Sequence, residues 1–330
     1  MIHGQRSEIE RYLKKLGNAP SLGKARSWWP FFVYHFTEVH NAASILNQGF
    51  LRSRNALTTQ RQTFRDSASQ EVISRTEHSE KDWVRLYFRP RTPTQFRNEG
   101  IRQPDSLYEG AHCPMPVFFL FDASGIIGKE GTIMTDGSVA RQHKKGYGLT
   151  FLKSLDFARI FHDSPLEPEE KSEIVNARHA EVLAEDPLDL SNLKYIVCRS
   201  MAERETLNSL LSENVLDRWR PQVVIDRRGD LFFKRHFFII EVSLSRSLIT
   251  IRVSPDNTGP FDLQIVVKDE YGYTQVFERT RFQFEPNPYS LRISEPRNAY
   301  LISIHVNGFL AYRSFFQESP YQAKPHNLLF

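Results

Sequence analysis

Cysteine is nearly missing: the 330-residue chain has two, Cys113 and Cys198, far apart and outside any CxxC pair or histidine cluster. That excludes a disulfide framework and offers no zinc-ligand set. Long apolar runs are missing as well. The longest, VFFLF at 117–121, is far too short to span a bilayer, and the opening MIHGQRSEIERYLKKL has no apolar stretch of the signal-peptide kind. These absences predict a cytoplasmic protein with no membrane partner and no metal. A large excess of either charge is lacking too. Forty-three Lys and Arg against 39 Asp and Glu leave a formal charge of +4, which is compatible with nucleic acid without establishing it. No Walker-type phosphate loop, no GxGxxG after a strand, no HExxH and no GxSxG occurs, so the usual nucleotide, zinc-protease and serine-hydrolase readings have no support.

What the chain has is phenylalanine, 25 of them, and enough length for a full core and two domains. Ile9, Tyr12, Leu13 and Leu16 share one face of a short helix over 7–16 that stops at Gly17. FFVYHFT at 31–37 reads as a strand, and EVHNAASILNQGFL as a helix stopped by Gly49. Residues 52–80 are polar, Arg-rich and weakly periodic, which predicts loop with short helices. WVRLYF (83–88) and PVFFLFD (116–122) read as strands, 152–178 as a helix, ARHAEVLA and LKYIVCRS as two more strands, and 200–214 as a helix. From about 237 onward, seven segments alternate every other residue between turn residues, the pattern of an antiparallel sandwich. The expected fold is therefore an α+β domain followed by an all-β, immunoglobulin-like one.

Three segments carry residues with chemistry to offer. In VYHFT, alternation sends Val33, His35 and Thr37 to one face and Tyr34 and Phe36 to the other. His35 and Thr37 could serve a polar ligand; a lone histidine is more often simply a satisfied, half-buried one. In ARHAEVLA, Glu181 leaves the apolar face together with His179. A carboxylate there must be paired, hydrogen-bonded or raised in pKa, which fits an active site and also fits a structural partner of an arginine. In RLYFRPRTPTQFRNEGIR, five arginines alternate with Tyr87, Phe88 and Phe96, a combination that can grip phosphates and stack bases, or form a solvated basic loop.

In this order, YHFT with NAASIL (34–46), LYFRPRTPTQF (86–96), PVFFLFD, TDGSVA (135–140) and RHAEVL (178–183) resemble the DarT family of DNA ADP-ribosyltransferase toxins, partners of the macrodomain antitoxin DarG. The resemblance implies a split-sheet ADP-ribosyltransferase domain over 30–236, between a leading helix and linker at 1–29 and a β-sandwich at 237–330. It implies NAD as substrate and transfer of ADP-ribose to a thymine or guanine in single-stranded DNA, as a toxin or phage-defence effector. Modification of RNA or protein, or nucleic-acid binding by a vestigial pocket, are the alternatives. By the same resemblance Glu181 is the catalytic glutamate, and His35, Thr37, Tyr34 and Asn41 hold NAD. Arg75, or else Arg65, is the arginine that holds phosphate or base. Tyr87, Arg89, Arg91, Thr94 and Arg97 meet the nucleic acid. Thr94 stands where many relatives have methionine, a departure that bears on the target base.

Overall fold

The computed structural model describes residues 2–61, 64–65, 74–107, 110–256, 259–285 and 287–318. Among the described residues ten strands precede residue 237: β1 (Phe32–Glu38), β2 (Phe50–Leu51), β3 (Val84–Tyr87), β4 (Pro116–Asp122), β5 (Ile133–Thr135), β6 (Lys145–Gly146), β7 (Glu181–Ala184), β8 (Leu188–Asp189), β9 (Leu193–Cys198) and β10 (Val223–Ile225). Among the described residues, eight of them form one sheet in the order β10-β9-β4-β1-β3-β7-β5-β6, and β2 pairs with β8.

Helices cover one face of this sheet. Helix Ile2–Gly17 buries Ile9 and Leu13 in the core on that face, and helix Val39–Gln48 buries Val39, Ala42, Ala43 and Leu46 there. The second helix stops where its sequence does: Gly49 takes φ 83° and returns its N–H to the Ile45 carbonyl, a left-handed cap that a residue with a Cβ resists. On the opposite face Tyr34, Phe118, Leu120 and Val197 are sealed by Leu231 and Phe232 of the connector after β10. The single helix expected over 152–178 is instead three short ones, Gly148–Ser154, Phe157–Ile160 and Lys171–Ala177. Asp156 caps the second, accepting from Arg159 N, and Pro165 and Pro168 interrupt the chain before the third.

Seven strands follow: β11 (Ile239–Leu244), β12 (Leu248–Val253), β13 (Phe261–Asp269), β14 (Thr274–Phe282), β15 (Tyr289–Arg292), β16 (Ala299–Val306) and β17 (Phe309–Gln317). They form two antiparallel sheets, β11-β12-β15 and β14-β13-β16-β17, whose inward residues, among them Ile249, Ile251, Ile265, Val267, Ile302 and Ile304, share one core. That core also takes Ile101 and Ala202 from the first half of the chain. Ile101 N bonds the Phe237 carbonyl at 3.0 Å, Ser200 Oγ donates to the Ile239 carbonyl at 2.7 Å, and the Tyr312 hydroxyl meets Glu205 at 2.7 Å. The C-terminal sheets are thus docked against helix Met201–Ser209, with no free tether near residue 237.

Candidate active site

The sheet opens between β1 and β3. Only Tyr34 and Tyr87 are paired between them, whereas β1 runs in register with β4 from Phe32 to Glu38 and β3 with β7 along its whole length. Beyond Tyr34 the backbones part, and the Arg85 carbonyl, which a continued ladder would bond, is met by a side chain: His35 Nδ1 lies 3.2 Å from it. A carbonyl only accepts, so Nδ1 carries the proton and Nε2 remains an acceptor. Burial lowers the His35 pKa to about 4, against the opposing pull of that carbonyl, and the ring is neutral at ordinary pH.

A cavity of about 230 Å³ occupies the opening. Because it sits at a gap in the sheet, side chains of both faces line it: His35 and Thr37 from one, Phe36, Arg85 and Tyr87 from the other. Helix Val39–Gln48 adds Asn41, Ser44 and Ile45, and the segment after it adds Arg52, Arg54, Phe64 and Arg65. Asn41 fixes Arg65 by both ends of its amide. Nδ2 donates to the Arg65 carbonyl at 2.8 Å and Oδ1 accepts from Arg65 N at 2.9 Å, while the same Nδ2 reaches Thr37 Oγ1 at 3.3 Å. Glu38, nearly fully buried, caps the helix through His40 N at 2.8 Å and lies 3.5 Å from the Arg65 guanidinium. Cations for a diphosphate, neutral polar groups for ribose hydroxyls, and the flat rings of Phe64, Trp83 and Tyr87 for heterocycles all face one space, so the residues present fit a dinucleotide.

Glu181 lies behind this wall. It is 0% exposed and does not line the cavity; Arg85 stands between them. In the β3–β7 ladder Glu181 opposes Tyr87, which makes Arg85 its diagonal neighbour on the same face. The guanidinium is two-pronged on the carboxylate, Nε to Oε2 at 2.5 Å and Nη2 to Oε1 at 2.6 Å. Val139 N approaches Oε1 at 3.4 Å, and Thr135 Oγ1 accepts from Glu181 N at 3.0 Å. Burial alone would lower the Arg85 pKa, but the Glu181 charge and hydrogen bonds carry it above its ordinary value. The Tyr87 hydroxyl is pushed up to about 12, first by burial and then by the Glu181 anion. His179 is held through Nδ1 by the Val175 carbonyl at 2.9 Å, and its Nε2 accepts from the Thr94 hydroxyl at 3.2 Å; burial lowers its pKa to about 4.

The family model described as ssDNA thymidine ADP-ribosyltransferase, DarT, matches residues 34–233, more than half of the chain. The chain belongs to the DarT family. It is an ADP-ribosyltransferase. Solved structures similar to it include DarT of Thermus sp. 2.9 in complex with ADP-ribosylated ssDNA (21% identity, TM-score 0.48, covering 62% of this chain and 97% of that one). The same Thermus protein in complex with NAD+ gives 21% identity, TM-score 0.47 and coverages of 62% and 98%. DarTG of Thermosipho africanus in complex with ADP-ribose gives 14%, 0.46, 61% and 51%. No curated protein matches the chain.

In this DarT-family chain the expected site residues separate into groups. His35, Thr37, Asn41, Tyr87, Thr94 and the alternative arginine, Arg65, line the cavity. Tyr34 does not: it shares the face of Phe36 and Tyr87 but is fully buried, its hydroxyl donating to the Trp29 carbonyl at 3.1 Å. Arg75 is exposed and lies beside Thr76, a lining residue, without lining the cavity itself. Arg89 is 1% exposed and turned inward, donating to the Ile160 carbonyl at 3.1 Å and to Asp163 at 2.9 Å over the ring of Trp29. Arg91 is half-buried with an Asp163 oxygen 3.5 Å away, and Arg97 is exposed on helix Pro93–Asn98. Sequence reasoning missed Arg85 as the partner of Glu181. The only signal was a charge inside an otherwise apolar strand, WVRLYF, to set beside the one inside ARHAEVLA.

Proposed function

We propose that the protein transfers ADP-ribose from NAD to a thymine in single-stranded DNA, as a toxin or phage-defence effector countered by a macrodomain partner. The observation that carries the reading is the buried carboxylate of Glu181 on β7, held by Arg85 directly behind the wall of the cavity, in a chain of the DarT family. His35, Thr37 and Asn41 would hold NAD, with Arg65 toward its diphosphate. As the bond from the ribose to nicotinamide breaks, positive charge develops on the ribose, and a nearby carboxylate stabilises it. The thymine ring nitrogen that still bears a proton then bonds to the ribose carbon; nicotinamide leaves with the bonding pair, and the thymine proton passes to Glu181. Arg85 orients the Glu181 carboxylate through its two-pronged contact, and its own side chain, 26% exposed, lines the cavity.

Residues 30–236 act in this reading as the catalytic domain. Residues 237–318 act as an immunoglobulin-like companion, supported by their strand order: first, second and fifth in one sheet, the remaining four in the other.

The test is mass spectrometry of a thymidine-containing single strand incubated with protein and NAD. A mass increase of one ADP-ribose is expected with wild type, and a rate lower by about 100-fold or more with Glu181→Gln. Equal adduct from both proteins removes Glu181 from the mechanism. One observation favours a non-catalytic reading, the seal of Arg85 over Glu181, and an adduct on no nucleic acid at all would leave that reading standing.

A further inference from the structure

The chain places a second cationic and aromatic surface beside the cavity, built from two segments 130 residues and more apart. Helix Pro93–Asn98 presents Thr94 and Asn98 to the cavity. At 100° per residue, Arg97 follows around the helix and then Phe96, which is 43% exposed. Against that outer side lies the connector Arg227–His236. It is held by buried groups of the helix: Gln95 Nε2 donates to the Leu231 carbonyl at 2.8 Å, and Glu99, 2% exposed, accepts from Phe233 N at 3.0 Å and Lys234 N at 2.9 Å. Lys234 takes φ 56° to present both N–H groups to that carboxylate.

The clamp sets side chains in a ladder. The Arg235 guanidinium lies 3.8 Å from the Phe96 ring centre, Phe96 meets Phe233 edge-on at 5.1 Å, and Arg91 lies 4.9 Å over Phe233. Arg102 donates to the Phe96 carbonyl at 3.1 Å, and the exposed Arg227 and Arg228 follow Asp226, whose carbonyl Lys234 Nζ approaches at 3.4 Å. The clamping carboxylate is spoken for, since Glu99 also lies 3.5 Å from the buried Arg199. The local field is positive enough to act on its neighbours: His236 is lowered to about 4, by burial first and then by Arg102, Arg235 and Arg199. The ladder adjoins the cavity wall, because Leu231 and Phe232 belong to the apolar cluster against which Phe36 and Tyr87, two lining residues, pack, with Phe118 meeting both Phe232 and Phe36.

We propose that Arg91, Phe96, Phe233 and Arg235, with Arg227 and Arg228, form a binding site for the nucleotides that flank the modified thymine in the same DNA strand. Stacked rings and guanidinium planes suit unpaired bases of any sequence, and the arginines suit the phosphates between them. The helix is about 10 Å across, a distance about three stacked nucleotides cover at about 3.4 Å each. The site rests on the proposed reaction with single-stranded DNA.

The experiment is fluorescence anisotropy of a labelled, thymidine-containing strand of about 20 nucleotides titrated with protein over a range of salt. Phe96→Ala is expected to weaken binding about tenfold or more. Arg228→Ala, at an exposed position, is expected to reduce the slope of log affinity against log salt by about 0.7. Arg235→Lys retains the charge without the flat stack, so it should keep the slope and lose affinity. Where Phe96→Ala fails to fold by its thermal melt, the two arginine variants decide. Unchanged affinity and slope in all folded variants overturn the ladder while leaving the reaction standing. A wild-type protein that forms no adduct on any single strand overturns the reaction itself.

Discussion

The Glu181 carboxylate is buried against one cation, Arg85, with Val139 N 3.4 Å from Oε1. Removing one member of a buried pair strands the other. Arg85→Ala is therefore expected to destabilise the fold by about 3–5 kcal/mol in urea unfolding. It should also reduce ADP-ribosyl transfer by about 100-fold, since the carboxylate is no longer aimed. Arg85→Lys retains charge but only one prong, and should recover part of both losses. Burial also sets a pH limit. His35, His112, His179 and His236 are each lowered to about 4, below the unfolded value of about 6.5. Between those values the unfolded chain binds more protons than the folded one, so stability present above about pH 6.5 is lost as pH falls toward 4. Melting temperature against pH should be flat from 8 to about 6.5 and then decline; a flat curve down to 4 would refute the neutral assignment. At this scale Glu181 was legible because a charge in an apolar strand needs a partner. The partner was not, because Arg85 reaches it only through the diagonal register of two strands nearly a hundred residues apart. Arg89 and Arg91 alternate identically in RPR, yet one is buried and the other half-exposed, a difference made by the carbonyls of Ile160 and His162 arriving from elsewhere in the chain.

Among the elements, helix Pro93–Asn98 does the most positioning for its six residues. Thr92 caps it, accepting from Gln95 N at 3.2 Å, and Pro93 occupies the first turn, where its missing N–H costs nothing. Thr92→Ala is expected to cost about 1 kcal/mol of stability. Because Thr92, Thr94 and Asn98 all line the cavity, it should also raise the KM for NAD, with a smaller change in kcat. An unchanged KM would detach the cap from the site. The proline-punctuated TPTQF carried that cap in plain letters. The seven C-terminal strands were legible for a similar reason, since alternation over a shared core needs no distant information. The run 152–178 misled, because helical periodicity continues across short helices that Pro165 and Pro168 interrupt.

For the whole molecule, the decisive feature is the seam between the halves. Ala202 is fully buried in the C-terminal core, and Arg313 N donates to Thr206 at 2.9 Å across the seam. Calorimetry should therefore find one cooperative unfolding transition; two separate ones would mean that the halves fold independently. A chain cut after residue 236 should be less stable than the full one, since it exposes Ile101 and Ala202. Nothing local in the sequence announced this seam: the change of texture near residue 237 marks where the pattern shifts, not where contacts stop. In the order of synthesis, Thr206 precedes Arg313 by 107 residues. At about 5–20 residues per second, the helix that backs the catalytic sheet waits roughly 5–20 seconds for the strand that seats it. The seam is therefore closed late: the contacts that hold helix Met201–Ser209 to the C-terminal sheets, Arg313 N to Thr206 among them, can form only after β17 has been made.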